Sequence, residues 1–184
     1  MLGTQSDARL ISRALAGSSG AWTGLVRRYE RRIYNYALRM VGHPDDALDV
    51  VQEVFMAVHR NLATFRGEST FASWLFRIAN YRSTDFLRRR RTFAPLDETG
   101  ELPDQAPYSD PAASAGALNV NQRLTLAMQT LPAEQRVVVE LKFFQHFTFE
   151  EIGGQLGISP NTAKTRLYTA LRKLRTVEEL KDAL

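Results

Sequence analysis

The sequence predicts an all-α protein made of two small helical domains joined by a flexible linker, with a helix-turn-helix in the second domain. First, apolar residues recur at helical spacing, and no stretch alternates as a strand does. Second, a proline-rich segment without a single Lys or Arg separates two such regions. Third, a glycine joins two short amphipathic patterns near the C-terminus. A chain of 184 residues with 44% hydrophobic content can form one large or two small domains.

The first strong pattern predicts a helix that begins near Trp22 and ends at Gly42. Arginines occupy the face opposite its apolar stripe. The stripe consists of Trp22, Leu25, Val26, Tyr29, Ile33, Tyr36 and Met40.

A second helix begins at Pro44, with Asp45 and Asp46 in its first turn. Its predicted core stripe is Ala47, Val51, Val54, Phe55, Val58 and Leu62. That stripe leaves Val50 and Met56 on flanking faces, where they mix with the acidic and amide side chains of Asp46, Asp49, Gln52 and Glu53. In a basic region, an acidic and apolar patch suggests a docking surface, and a solvated helix face is the alternative.

A third helix, with Ser69 as its predicted N-cap, combines aromatic residues with arginines and ends in the run Arg88 to Arg91. Aromatic rings can stack on the bases of a separated strand while guanidinium groups contact its phosphates. The alternative assigns Phe71 and Trp74 to the core and the arginines to a solvated helix end.

Residues 92–118 are predicted to be a flexible acidic linker between domains at 1–91 and 119–184. The first domain has 15 Lys and Arg against 8 Asp and Glu, the linker 0 against 5, and the last domain 9 against 7. The net charge of +4 favours nucleic acid as a partner, with an anionic membrane surface or an acidic protein as alternatives.

The C-terminal pattern is that of a helix-turn-helix. Thr148 and Glu151 have capping-box spacing, Gly157 turns the chain, and Ser159 with Pro160 begins the next helix. Since Ala163, Leu167, Ala170, Leu171 and Leu174 form its inward stripe, the polar side chains must point outward. This side can reach base edges and phosphates in a major groove.

Composition excludes several classes of protein. There is no cysteine, so the chain has no disulfide scaffold, catalytic thiolate or sulfur-ligated zinc. Its three histidines are scattered, and no apolar run is long enough to span a bilayer. We therefore expect a cytoplasmic protein with no metal and no cofactor.

Both folded parts resemble the extracytoplasmic-function sigma factors of bacterial RNA polymerase, a branch of the sigma-70 family. The resemblance lies in "DDALDVVQEVFMAVHRNLATFRGESTFASWLFRIA" with "DFLRRRR", and in "LPAEQRVVVELKFFQHFTFEEIGGQLGISPNTAKTRLYTALRKLR". It implies a promoter-recognition subunit that is not itself an enzyme. Its implied partners are RNA polymerase core, promoter DNA and an inhibitory anti-sigma factor.

The resemblance also implies three sets of site residues. Those that dock on the clamp helices of the largest polymerase subunit are Asp49, Gln52, Glu53 and Met56. Those that hold the separated minus-ten strand are Phe65, Arg66, Ser69, Thr70, Phe71, Arg77, Asn80, Tyr81 and Arg88. Those that read the minus-thirty-five element are Ser159, Asn161, Thr162, Lys164, Thr165, Tyr168 and Arg172. The chain departs from the family at Tyr81, a position where members often have the asparagine that is found here at Asn80.

Two other functions compete with this interpretation. One is a helix-turn-helix repressor or activator that does not bind polymerase core. The other is a nucleic-acid enzyme using Asp45, Asp46, Asp49 and Glu53 with magnesium, although neighbouring positions on one helix point about 100° apart and do not converge on one ion.

Overall fold

A computed structural model describes residues 6–93 and 120–176, and within these ranges the chain is helical without a strand. The four N-terminal helices are α1 Asp7–Leu15, α2 Ser19–Val41, α3 Pro44–Asn61 and α4 Phe71–Phe93. The C-terminal part contains α5 Val120–Gln129, α6 Ala133–Val139, a π-helical turn Glu140–Phe144, α7 Phe149–Leu156 and α8 Pro160–Arg175. This confirms the all-α prediction. Helix α4 includes the first two residues of the predicted linker, whose other residues lie outside the described ranges.

The N-terminal bundle is built around α2, which packs against α1, α3 and α4. The hydroxyl of Ser18 accepts from the amide of Ala21 at the start of α2, and Gly42 ends it with a left-handed φ of 87°. Pro44 occupies the first turn of α3, as predicted. The buried residues of α2 include Leu25, Tyr29, Ile33, Tyr36 and Met40 from the predicted stripe.

Two details of the sequence interpretation were wrong. Val50 is fully buried instead of lying on a flanking face, because α3 turns residues 47, 50, 54, 57 and 58 toward the core. The cap of α4 is Thr70 instead of Ser69: the hydroxyl of Thr70 accepts from the amide of Ser73 at 3.1 Å.

The C-terminal part contains the predicted helix-turn-helix. Thr148 and Glu151 form a reciprocal capping box at the start of α7, and Gly157 ends that helix with φ 66°. The turn is tight, because a Cβ added to Gly153 would lie 2.7 Å from the carbonyl oxygen of Ile158. Ser159 caps α8 by accepting from the amide of Thr162 at 3.0 Å.

The two parts pack against each other. The C-terminal half of α2 contacts α5 and α6, and α4 contacts α7. No described helix combines the length and the apolarity that a membrane crossing requires.

Candidate nucleic-acid and partner interfaces

The face of α3 that was predicted to dock on a partner is exposed. Asp49 and Gln52 are exposed, and Met56 shows 46% of its surface. Leu48, which the sequence interpretation missed, is 57% exposed. Leu48, Gln52 and Met56 are four residues apart and share one side of the helix. Leu48 and Met56 give this side an exposed apolar stripe, and the carboxylate of Asp49 lies exposed next to it.

Two arginines of α4 bind the edge of this acidic surface. Arg89 donates to both carboxylate oxygens of Glu53, at 2.9 and 3.0 Å, and these bonds raise the pKa of Arg89. Arg90 donates to Asp46 at 2.7 Å. The sequence shows an acidic pattern on one helix and an arginine run at the end of another. Which acid pairs with which arginine depends on how the two helices pack. Asp49 lies beside these pairs in the groove between α3 and α4.

The carboxylates of α3 are not arranged for a metal. Across residues 6–93 and 120–176, no three Asp, Glu or His side chains form a group that could hold an ion. Asp46 and Glu53 instead bind separate arginines.

The predicted minus-ten residues divide into exposed and packed groups. Phe71 is buried with its ring against Tyr29, while Phe65 is half-buried beside Phe71 and Trp74, with ring centroids 5.6 and 5.5 Å away. These aromatic residues hold the loop onto the bundle. The exposed group consists of Arg66, Ser69, Thr70, Arg77, Tyr81 and Arg88.

Adjacent positions on α4 have opposite surroundings. Asn80 is half-buried, whereas Tyr81 shows 63% of its surface. The guanidinium of Arg82 lies 5.5 Å from the ring centroid of Tyr81. The pair therefore places an aromatic ring and a cation together at the surface, a combination that suits a base next to a phosphate.

Helix α8 presents all its predicted contact residues to solvent, on the side opposite the buried Ala163, Leu167 and Ala170. The exposed residues are Ser159, Asn161, Thr162, Lys164, Thr165, Tyr168 and Arg172. The hydroxyl of Thr165 donates to the carbonyl of Asn161 at 3.0 Å.

Family models match both folded parts. "Sigma-70 region 2" matches residues 25–93, and "Sigma-70, region 4" matches residues 121–174. The exposed face of α3 and the surface of α4 thus lie in region 2, and α8 lies in region 4.

Known proteins give the same result. The chain is 31% identical over 170 residues to the ECF RNA polymerase sigma factor SigM of Mycobacterium tuberculosis, covering 92% of this chain and 83% of SigM. It is 32% identical over 158 residues to SigE of Mycolicibacterium smegmatis, covering 84% of this chain but 60% of SigE. The fold is similar to the sigma factor RpoE of Bartonella quintana, solved in complex with the anti-sigma factor NepR (TM-score 0.71, 24% identity, 86% of this chain and 96% of that one). The chain belongs to the sigma-70 family, and within it to the ECF RNA polymerase sigma factors.

Proposed function

We propose that this sigma factor is a dissociable subunit that docks on RNA polymerase core through α3, holds the minus-ten strand with α4, and reads the minus-thirty-five element with α8. The observation that carries the proposal is the presence, on one chain, of an acidic and apolar face in region 2 and an outward polar face in region 4.

The proposed core-binding residues are Asp49, Gln52, Glu53 and Met56, and we add Leu48 because it continues the exposed apolar stripe. A matching partner would present cationic side chains around an apolar strip, and the clamp helices of the largest polymerase subunit are the proposed partner. Because the acidic groups lie outside the bundle core, they can serve binding without a large role in folding.

For the minus-ten element, we propose that Tyr81 stacks on an unpaired base while Arg66, Arg77 and Arg88 contact phosphates. Binding that favours the unpaired strand would promote strand separation, since a ligand shifts an equilibrium only by its differential affinity. Phe65 and Phe71 would support the loop by packing, as their contacts with each other and with Trp74 suggest.

For the minus-thirty-five element, α8 would enter the major groove with its N-terminal residues toward base edges. An anti-sigma factor is a further proposed partner, supported by the RpoE neighbour's complex with NepR. Such an inhibitor would cover one or more of the exposed faces described above.

The experiment that tests the proposal is reconstitution with polymerase core, followed by affinity measurement and promoter-dependent transcription. We expect Asp49→Ala with Glu53→Ala to weaken core binding by roughly tenfold, about 1.4 kcal/mol. The melting temperature should change little, because the Glu53–Arg89 pair is partly exposed and such pairs stabilise weakly.

A matched control replaces two exposed acids elsewhere, Glu30→Ala with Glu150→Ala, and thus makes the same change in net charge. It should leave core affinity unchanged. Equal weakening by both double variants would indicate a general charge effect. Failure of the wild-type chain to bind core would instead favour an ordinary helix-turn-helix regulator.

A further inference from the structure

The arginine run at the end of α4 is largely occupied by carboxylates. Arg89 donates to both oxygens of Glu53, on α3, at 2.9 and 3.0 Å, and its Nε lies 3.2 Å from a carboxylate oxygen of Asp85. Arg90 donates to Asp46, also on α3, at 2.7 Å. Two arginines of the run therefore connect α4 to the acidic side of α3, and their charges are balanced within the protein.

Arg88, at the start of the run, has different surroundings. It donates to Asp85 of its own helix at 2.5 Å. Its side chain is 76% exposed, against 46% for Arg89 and 36% for Arg90. A phosphate can therefore approach Arg88 without breaking a contact between helices, whereas each of the other two arginines would first have to leave a carboxylate of α3.

The acidic residues of α3 form a row on one face of the helix. Asp46, Asp49 and Glu53 are three and four residues apart along the chain. The outer two carboxylates of the row are those that bind Arg90 and Arg89. Within the described part of the chain the middle carboxylate, that of Asp49, makes no ion pair, and the residue is exposed. The row thus presents one unpaired acid between two paired ones.

Asp49 also lines a groove of about 590 Å³ between α3 and α4. The other lining residues are Gln52, Phe86 and the members of the two ion pairs. Phe86 is half-buried against the hydrophobic core, so its ring gives the groove an apolar wall. A lysine or arginine side chain matches these surroundings, because its methylene stem can pack on the ring while its charge reaches the free carboxylate.

Gln52 connects this groove to the exposed apolar stripe of α3. It lines the groove, and it shares one side of the helix with Leu48 and Met56. A partner that covers the apolar stripe therefore also reaches the groove.

We propose that Arg89 and Arg90 are positioning residues of the core-binding face and do not bind phosphates. They hold Glu53 and Asp46 on either side of Asp49, which leaves this one carboxylate to bind a lysine or arginine side chain of the polymerase clamp. The inference rests on the proposed function and assigns the partner's cation to one place on α3. Without the two arginines, three unpaired acids would compete for that cation, and the partner could bind in more than one register.

The affinity for polymerase core tests the pairing through a double-mutant cycle. In the wild type, Asp49→Asn should weaken core binding about fivefold, because it removes the unpaired charge. In a chain that carries Arg89→Gln and Arg90→Gln, the same change should cost less than about twofold, since the freed carboxylates can bind the partner's cation instead. Glutamine is a good helix former, so the fold should be retained.

The matched control carries Arg27→Gln and Arg31→Gln, which remove two positive charges from exposed positions of α2. In that chain Asp49→Asn should again cost about fivefold. Circular dichroism should give wild-type helical content for every variant. If Asp49→Asn costs the same in the control and in the chain with Arg89→Gln and Arg90→Gln, the two arginines do not position the acids and the proposal is overturned.

Promoter binding by the holoenzyme, at saturating core, tests whether the same arginines contact DNA. Arg88→Gln should lower the salt dependence of binding by about one phosphate contact. The chain with Arg89→Gln and Arg90→Gln should keep the wild-type slope. A slope lower by about two contacts in that chain would assign both arginines to DNA and overturn their placement on the core-binding face.

Failure of the proposed function would have a different signature. If the wild-type chain does not bind polymerase core, the docking face itself is wrong and this inference is overturned with it. If the wild type binds core and Asp49→Asn leaves the affinity unchanged, core binding stands, and the assignment of the partner's cation to Asp49 is overturned.

Discussion

The hydroxyl of Tyr36, deep in α2, lies 3.4 Å from the side-chain oxygen of Asn80 on α4. The hydroxyl of Thr84 lies 3.5 Å from the same oxygen. Asn80 thus joins two helices, while the next residue, Tyr81, points to solvent. Asn80 therefore does not occupy the exposed position of Tyr81, where the resemblance to the family led us to expect an amide, and the surface of α4 carries an aromatic ring there.

If Tyr81 stacks on an unpaired base, Tyr81→Ala should impair open-complex formation by roughly tenfold on duplex promoters, since base stacking contributes about 1 to 3 kcal/mol. The impairment should be smaller on promoters already mismatched over the minus-ten region, where no melting is needed. Stability should hardly change at a site so exposed. Equal impairment on both templates would assign the ring a role that does not distinguish single from double strand.

Lys164 and Arg172 are both exposed on α8, two turns apart. Lys164→Ala should cost on the order of 1 to 3 kcal/mol at the preferred minus-thirty-five sequence and flatten discrimination among sequences. Arg172→Ala should weaken all sequences alike and reduce the salt dependence of binding by about one phosphate contact. Binding titrations with holoenzyme, at several salt concentrations and with the minus-ten sequence constant, distinguish the two effects. If Arg172→Ala flattened sequence discrimination and Lys164→Ala weakened all sequences alike, the C-terminal end of α8, instead of its N-terminal end, would face the bases.

His146 has φ 59°, a left-handed conformation that β-branched residues strongly disfavour. His146→Val should therefore lower the free energy of unfolding by about 1 to 2 kcal/mol. His146→Gly should stay near wild type, since relief of backbone strain offsets the greater freedom of the unfolded chain. The control Thr23→Val, at an exposed helical position, should change little. Chemical denaturation measures the free energy of unfolding of the three variants. If His146→Val and Thr23→Val lower it equally, the left-handed backbone at position 146 does not explain the loss.

Burial raises the pKa of Glu140, and Arg39 and Gln145 offset part of that rise. Tyr36 also faces this carboxyl, and its own pKa is raised by burial and by Glu140. As the pH rises above about 4.3, Glu140 loses its proton in the unfolded chain before it does so in the folded protein. The free energy of unfolding therefore falls with pH until the raised pKa of the folded state is passed. Relative to the variant Arg39→Met with Glu140→Met, the wild type should lose stability across that window and then remain level. A gain in stability over the same pH range would show that the interaction with Arg39 lowers the pKa of Glu140 by more than burial raises it.

Local signals in the sequence predicted most of the fold. Gly42, Gly157 and Ser159 define helix ends through backbone conformations and caps that depend on a few neighbouring residues. The outward face of α8 followed from its inward stripe in the same way. Val50 could not be placed, because α3 has more apolar residues than one face can bury and its packing against α2 decides among them.

Contacts between distant residues could not be predicted. Glu140 resembles any charged residue on a helix until Arg39, 101 positions away, is brought beside it. Arg89 and Glu53 likewise meet only because α3 and α4 pack together. Charge composition indicated the kinds of surface that the chain would form, and tertiary packing determined which of those charges are available to a partner.

The last carbonyls of α2 have a consequence for dissection of the protein. Gly42 satisfies the carbonyl of Leu38 from within the helix end, but Gln129 and Arg136 satisfy those of Arg39 and Met40 from the other part of the chain. A fragment cut after Phe93 would have to solvate these two carbonyls with water. The C-terminal end of α2 would fray in this fragment, because its last carbonyls lose the partners that they have in the whole protein. The separately expressed N-terminal part would therefore differ in structure from the same residues in the intact chain.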